Sequence, residues 1–546
     1  MPTIECSFQD LKTLFGKKCS IDELKELMRA AKGEVEKYDE KTDMITLGLG
    51  DTNQPYLWSV EGVARFLRHY VGAEKGFEEL KTTKNTNQIN VDSKLEEIRP
   101  YIAAFTAKGK PIDEYMLKQL IQLQEKIADG FGRKRQKIAI GIYPLKKITF
   151  PILYKAADPE KTSFRPLDGN PDNLRRILEY NPKGKEYAWI LKDSKQYPIL
   201  EDAKGNVLSF PPIINSYDTG RIEVGDSEFF FEATGTDHAA IQLATTIFAY
   251  ALADRGFAIG QVTIKYKKEN ENCPTLKKET FMITPEQVKT ILGLDLKKNE
   301  IQALLEKGQY NVSAGKILVP PFRGDILHPV DIIEDIGIMY GYDKIEPLPL
   351  TTFTVGGALP KVRQINLVRD ILTGLGYQEV FSPLLTNKEL LYGKMNCIDK
   401  GTVEIQNPVS QTYSCVRSWI IPNLLEMLAK NKHADYPHRI FEQGIATTRK
   451  GNEVTDHEKV AVVCVHNNAE YTEMRQVIDH LFATLGVCYT IVPVENPTFI
   501  PGRAAKIIVD KQEIGYIGEI NPIVLEHLDL EYPAVAMEID LGFLWK

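Results

Sequence analysis

The sequence predicts a multidomain α/β and α+β protein, and three observations carry that prediction. The 546 residues exceed what one hydrophobic core organises, so several domains follow. Helical and strand-like periodicities alternate along the chain without repeats or low-complexity tracts. The composition, 43% hydrophobic and 26% charged, is that of a globular protein and excludes a disordered chain. The net charge of −7 does not advertise a nucleic-acid binder, so any RNA contact has to come from local basic patches on an acidic body. The seven cysteines contain no Cys-x-x-Cys pair, which rules out the usual zinc spacings and fits reduced thiols. With no signal-like apolar core near the start and no run of transmembrane length, a soluble cytoplasmic protein is expected, with no membrane partner.

The elements follow in chain order. Ser20 and Glu23 have capping-box spacing ahead of Leu24, Leu27, Met28 and Ala31, which predicts the first helix. "DTNQPYLWSVEGVARFLRHY" (51–70) reads as a polar turn running into an amphipathic helix. Residues 80–97 are polar and weakly patterned, which suggests an N-terminal α/β domain over 1–90 and a linker over 91–115. A further domain is expected over 116–270. Within it, "GRKRQK" (132–137) reads either as a solvated edge or as a contact for an RNA backbone, and leads into the strand-like "IAIGIY". Residues 207–256 read as a strand, a turn and a second strand ending at Glu232, then a sharp turn into a long helix capped by Thr236 or Asp237. Free N–H groups at such a junction suit an oxyanion or phosphate, although "TGTD" also makes a plain helix cap.

Residues 274–346 form a compact module. Thr284, Pro285 and Gln287 open a short helix that Gly293 stops, and a second helix carries Ile301, Leu304 and Leu305. "YNVSAGKILVP" then reads as a hairpin ahead of a third helix, an order that resembles a winged-helix module. In that third helix Pro329 suits the first position, and Ile332, Ile333, Ile336, Met339 and Tyr340 fall on one stripe. Asp331, Glu334 and Asp335 share another face, with Asp325 just ahead of it. Asp331 gains from the helix dipole, but an exposed Asp331/Asp335 repulsion costs roughly 0.2–0.5 kcal/mol, so the cluster calls for a cation. Oxygen ligands favour magnesium or calcium; Arg323 or a basic partner surface does the same job. Residues 350–546 then alternate strands and helices over a length typical of one domain.

Several of these segments, in the right order, resemble the phenylalanyl-tRNA synthetase beta-subunit family. "PPFRGDILHPVDIIEDIGIMYGYDKI" is similar to its magnesium-bearing module, and "PPIINS" with "FEATGTD" to its editing domain. "NPVSQTYSCVRSWIIPNLLE", "RIFEQG" and "PGRAA…IGYIGEINP" resemble its catalytic-like domain. The chain's compactness, without an appended OB domain, points to the archaeal and eukaryotic type. The resemblance implies an editing domain over 116–270, a winged-helix-like module carrying Mg2+ over 274–346, and a degenerate class II synthetase-like antiparallel-sheet domain over 350–546 that serves for docking. It implies an enzyme of two alpha and two beta subunits joining phenylalanine to tRNA(Phe) through an adenylate made from ATP. The alpha subunit would carry that chemistry, and "HRIFEQG" around Arg439 and Glu442 is indeed not followed by a Gly-x-Gly-x-Gly-x-Arg run. The magnesium ligands carry over to Asp325, Asp331, Glu334 and Asp335, the last being Asp where some relatives have Glu.

Editing has a physical motive. A hydrophobic pocket rejects a substrate with one added hydroxyl by only about 10²-fold, so a second, hydrolytic site that prefers tyrosine is expected. Glu232 is the candidate partner for the phenol, with Thr234, Thr236 and Asn215 shaping the pocket or positioning water, and backbone N–H groups at 235–237 facing the oxyanion. The rival readings are a free-standing hydrolase of mischarged tRNA, a non-enzymatic RNA-binding scaffold, and a metal-dependent hydrolase centred on 325–335. The docking domain argues against the first, the pocket residues against the second, and the lack of further ligands or a nucleophile motif against the third.

Overall fold

The computed structural model describes residues 2–51 and 53–545, and the chain divides into two compact units, Met1–Leu348 and Pro349–Lys546. The first unit opens with a three-stranded antiparallel sheet in which Met44–Leu49 lies between Thr3–Ser7 and Gly33–Asp39. The helix Ile21–Ala30 begins at the expected capping box: Ser20 accepts from Glu23 N and Glu23 reaches back to the Ser20 N–H.

An eleven-stranded mixed sheet dominates this unit. Along its main path the order is Ile214–Asn215, Val207–Phe210, Tyr197–Glu201, Ile152–Ala157, Gln88–Val91, Ala258–Lys265, Tyr101–Lys108, Glu228–Gly235 and Ile138–Pro144. Residues 91–115 are therefore not a linker. Tyr101–Lys108 is an almost wholly buried strand between Glu228–Gly235 and Ala258–Lys265, and Gln88–Val91 pairs in the same sheet. Domain limits at 90 and 116 thus cut through one sheet. The 17-residue helix His238–Asp254 covers it with Ala240, Ile241, Ala244, Ile247 and Phe248. The sheet also curls: Tyr143 on one terminal strand brings its hydroxyl 3.5 Å from Asn215 Oδ1 on the other. That meeting of the two ends walls off a cavity.

The remainder of the unit follows the expected order: helices Pro285–Leu292 and Lys298–Lys307, the hairpin Asn311–Ser313/Lys316–Leu318, and helix Pro329–Tyr340. Its core joins Val288, Ile301, Leu305, Ile332, Ile333 and Ile336.

The second unit is built on a seven-stranded sheet. Its order is Gln378–Glu379, His438–Lys450, Glu453–Val465, Ala534–Asp540, Gln512–Ile520, Phe499–Val509 and Thr490–Pro493, antiparallel except for the first pair. Strand alternation sorts its two faces. Val460, Val462 and Cys464 pack with helices Pro360–Gly374 and Tyr471–Leu485, while Ala461, Val463 and Val465 pack with helix Ile421–Lys430.

Candidate functional site

The cavity between the curled ends of the large sheet measures about 310 Å³, within the range of small-ligand sites. Ile140, Ile142, Ser209, Phe210, Asn215 and Glu232 line it, with Arg135, Lys183 and Arg221 also on its wall. Glu232 is 2% exposed, and its Oε1 accepts a 2.8 Å hydrogen bond from the Tyr143 hydroxyl. Its Oε2 is buried and has no hydrogen-bond partner. An orphaned carboxylate oxygen costs at least 1–3 kcal/mol, roughly, so a fold keeps one at a cavity wall only where something supplies a donor. Burial pushes the Glu232 carboxyl up to about 7, against the smaller opposing pull of the Tyr143 hydroxyl and the Arg99 charge. Gly141, paired with Glu232 across the sheet, leaves room for this contact: a Cβ there would stand 2.2 Å from the Tyr143 hydroxyl and 2.5 Å from Glu232 Oε1.

The four residues expected here do not all reach the cavity. Glu232 and Asn215 line it. Thr234 is fully buried and its hydroxyl accepts from Arg99 Nε at 3.1 Å, while Arg99 Nη2 donates to its carbonyl at 2.6 Å; it braces the strand rather than lining the cavity. Thr236 is exposed and does not line the cavity, and its N–H donates to the Lys137 carbonyl at 3.2 Å. The helix cap is Asp237, which accepts from Ala240 N, so neither a Thr236 cap nor a free N–H at 236 for an oxyanion is present. Sequence reasoning missed Tyr143, the last letter of the strand-like "IAIGIY", and Arg135, which donates to the Ile213 carbonyl at 2.9 Å.

The basic cluster before that strand has an unusual backbone. Arg133, Lys134 and Arg135 have φ of 51°, 51° and 65°, three consecutive left-handed residues at a cost of roughly 1–2 kcal/mol each. Backbone bonds from Lys134 N to Asp129 O, Arg135 N to Ala128 O and Lys137 N to Gly132 O hold the turn.

The acidic cluster at 325–335 is organised around Arg323. Its Nε and Nη2 meet both oxygens of Asp325 at 2.7 and 2.6 Å, and its Nη1 meets Asp335 Oδ2 at 2.9 Å, where Tyr310 also donates. Asp335 is buried rather than on a solvated face, and burial raises its carboxyl despite the guanidinium. Asp331 accepts from the N–H groups of Leu327 and His328 at the helix start. Glu334 points away to Lys32 at 3.0 Å. The residues present therefore do not fit a magnesium ion held by all four carboxylates: Arg323 provides the charge, and the oxygens do not converge. Among the described residues only Cys464, His466 and Glu473 bring three metal-ligating atoms within 4.8 Å of one another, and Arg439 already pairs with that glutamate.

In the second unit two arginines are tied up, Arg417 and the strand residue Arg439. Arg417 Nη1 meets Glu442 Oε1 at 2.6 Å with both side chains buried, and Arg439 Nη2 meets Glu473 at 2.9 Å.

Comparison with known proteins identifies the family. Residues 281–342 match the tRNA synthetase B5 domain, and residues 346–541 the phenylalanyl tRNA synthetase beta chain CLM domain. The chain is 42% identical to the phenylalanine–tRNA ligase beta subunit of Pyrococcus horikoshii, covering all of both chains. The chain belongs to the phenylalanine–tRNA ligase beta-subunit family. It is thus a subunit of an aminoacyl-tRNA synthetase, a ligase of protein biosynthesis. The Pyrococcus abyssi beta subunit is 40% identical over the full length of both, and that of Archaeoglobus fulgidus 36% identical over 90% of each. A crystallised N-terminal fragment of the Pyrococcus horikoshii beta subunit aligns over all of its length and 62% of this chain, with a TM-score of 0.61 and 41% identity. No helix among the described residues is long and apolar enough to cross a membrane.

Proposed function

We propose that this beta subunit works with a catalytic alpha subunit, as a cytoplasmic enzyme of two alpha and two beta chains, to charge tRNA(Phe) with phenylalanine at the expense of ATP. We further propose that its Glu232 cavity hydrolyses tyrosyl-tRNA(Phe). The observation that carries the editing reading is the unpartnered Glu232 Oε2. A tyrosyl phenol donates to it, whereas a phenylalanyl ring leaves it orphaned. A site built to bind a hydroxyl rejects the analogue lacking it by about 10⁴–10⁵, so correctly charged tRNA is spared. Asn215 sits at the same wall, 3.5 Å from the Tyr143 hydroxyl that steadies Glu232. Thr234 acts through the strand it braces, and Thr236 lies outside the cavity.

Division of labour with a partner has its own support. Leu350, Phe353 and Val355 are 94%, 90% and 91% exposed in a segment without regular structure, an apolar face that an alpha subunit would cover. Arg439, the strand arginine that an active core would turn to ATP, is instead paired with Glu473. A free-standing hydrolase would have no use for that apolar segment. Magnesium belongs to the ligase reaction of the family, and no step is assigned to it at Asp325, Asp331, Glu334 and Asp335.

The test is Glu232→Ala in the assembled enzyme. Phenylalanine charging should persist while tyrosyl-tRNA(Phe) accumulates; clearance of tyrosine at the normal rate would refute the site.

A further inference from the structure

If the Glu232 cavity accepts an aminoacyl group esterified to RNA, the RNA strand has to leave through the rim, and the rim carries an arrangement suited to it. Two basic elements flank the opening. One is the left-handed turn, where Arg135 lines the cavity and is held by the Ile213 carbonyl. Its neighbours Arg133 and Lys134 are exposed and have no carboxylate partner among the described residues. On the adjoining helices Lys183 pairs with Glu186 and Arg176 with Asp172, whereas these two cations are left open. The second element is the segment that carries Leu167 and Asp168 onto the cavity wall. Leu167 N donates to the Asn215 carbonyl, and Tyr217 N donates to the Arg165 carbonyl, which fixes Arg165 beside Tyr217. The exposed Arg165 guanidinium lies 3.8 Å from the centre of the Tyr217 ring, again without a carboxylate partner.

We propose that this rim is the binding surface for the single-stranded 3′ end of the RNA, with Arg133 and Lys134 meeting phosphates and the Arg165–Tyr217 stack supporting the terminal base. The inference rests on the reading of the cavity as an ester-hydrolysing site. Unpaired cations on a rigid turn suit a phosphate backbone, and an arginine plane laid on an aromatic ring is a platform on which an unstacked base sits. Strain in the turn places the two side chains outward while the third stays anchored to the cavity wall.

The test measures binding of a short RNA hairpin with a single-stranded 3′ extension to the full chain, by fluorescence anisotropy across a salt series. In R133A/K134A the log–log salt slope should fall by about 1.4, from two phosphate contacts at roughly 0.7 each for a single strand. The charge-preserving R133K/K134R should restore it. R165A should remove most of the preference for an extension ending in a base over one ending in an abasic sugar, a preference of about 5- to 150-fold if stacking operates. Unchanged slope in R133A/K134A, or an unchanged base preference in R165A, overturns the proposal. Hydrolysis of tyrosyl-tRNA by the unaltered enzyme reads the cavity assignment separately, so loss of that activity and loss of RNA binding are distinguishable.

Discussion

Replacing Glu232 by glutamine removes the charge and keeps the shape, and its effect is computable from the site. Burial pushes this carboxyl up to about 7, against about 4.3 for an unperturbed glutamate. Between those values the native protein keeps a proton that the unfolded chain has released, so stability falls as pH rises through the window and is level above it. At about 1.4 kcal/mol for each tenfold change in proton affinity, the ionised carboxylate costs the native state about 4 kcal/mol above neutrality. In Glu232→Gln that cost is absent. The readout is amide hydrogen exchange of the strand Glu228–Gly235, which follows local opening in a chain too large for a single two-state transition. The variant should gain about 500-fold in protection over wild type at about pH 8, and almost none near pH 4. Parallel pH dependence of the two proteins would show that Glu232 is not the buried, half-satisfied carboxylate described here.

Two further outcomes follow from the geometry. Arg323→Met leaves Asp325 and Asp335 buried without their counter-charge and should lower the local opening free energy of the helix Pro329–Tyr340 by roughly 3–5 kcal/mol in amide hydrogen exchange, whereas Lys32→Ala, which opens the half-exposed pair with Glu334, should change it by less than about 1 kcal/mol; equal effects would refute the assignment of Arg323 as the cation of the cluster. Gly141→Ala drives a methyl against the Tyr143 hydroxyl and Glu232 Oε1, and the displaced carboxylate should slow tyrosyl-tRNA hydrolysis by about 10²-fold with phenylalanine charging intact, as followed by deacylation kinetics.

Local chemistry was legible in the sequence and long-range meetings were not. The Ser20–Glu23 box, the Thr284–Gln287 box and Pro329 at a helix start depend on neighbours within a turn, and each stands where spacing puts it. The polar stretch before "YIAAFTAK" makes it read as linker, yet a continuous apolar run is what a strand buried on both faces looks like. The pairing of Tyr143 with Asn215 joins positions 72 apart in sequence at opposite ends of one sheet, and no periodicity encodes it. Alternation correctly gives Glu232 and Thr234 a common face, but it does not say that Arg99, arriving from far upstream, covers only the second.

The same blindness explains why two carboxylate sites looked alike on paper and part company in three dimensions. Asp325, Asp331, Glu334 and Asp335 form the denser acidic pattern, but each has a donor or cation from within the chain: Arg323, the helix-start N–H groups, or Lys32. Such groups organise the fold and ask for nothing more. Glu232 follows a run of three phenylalanines, inconspicuous by composition, and it alone among these five carboxylates keeps a buried oxygen with no donor at the wall of a cavity. Desolvating that oxygen without pairing it works against the native state, and a hydroxyl arriving in the cavity relieves the cost. The free energy withheld in folding thus reappears as selectivity for a ligand that carries the missing donor.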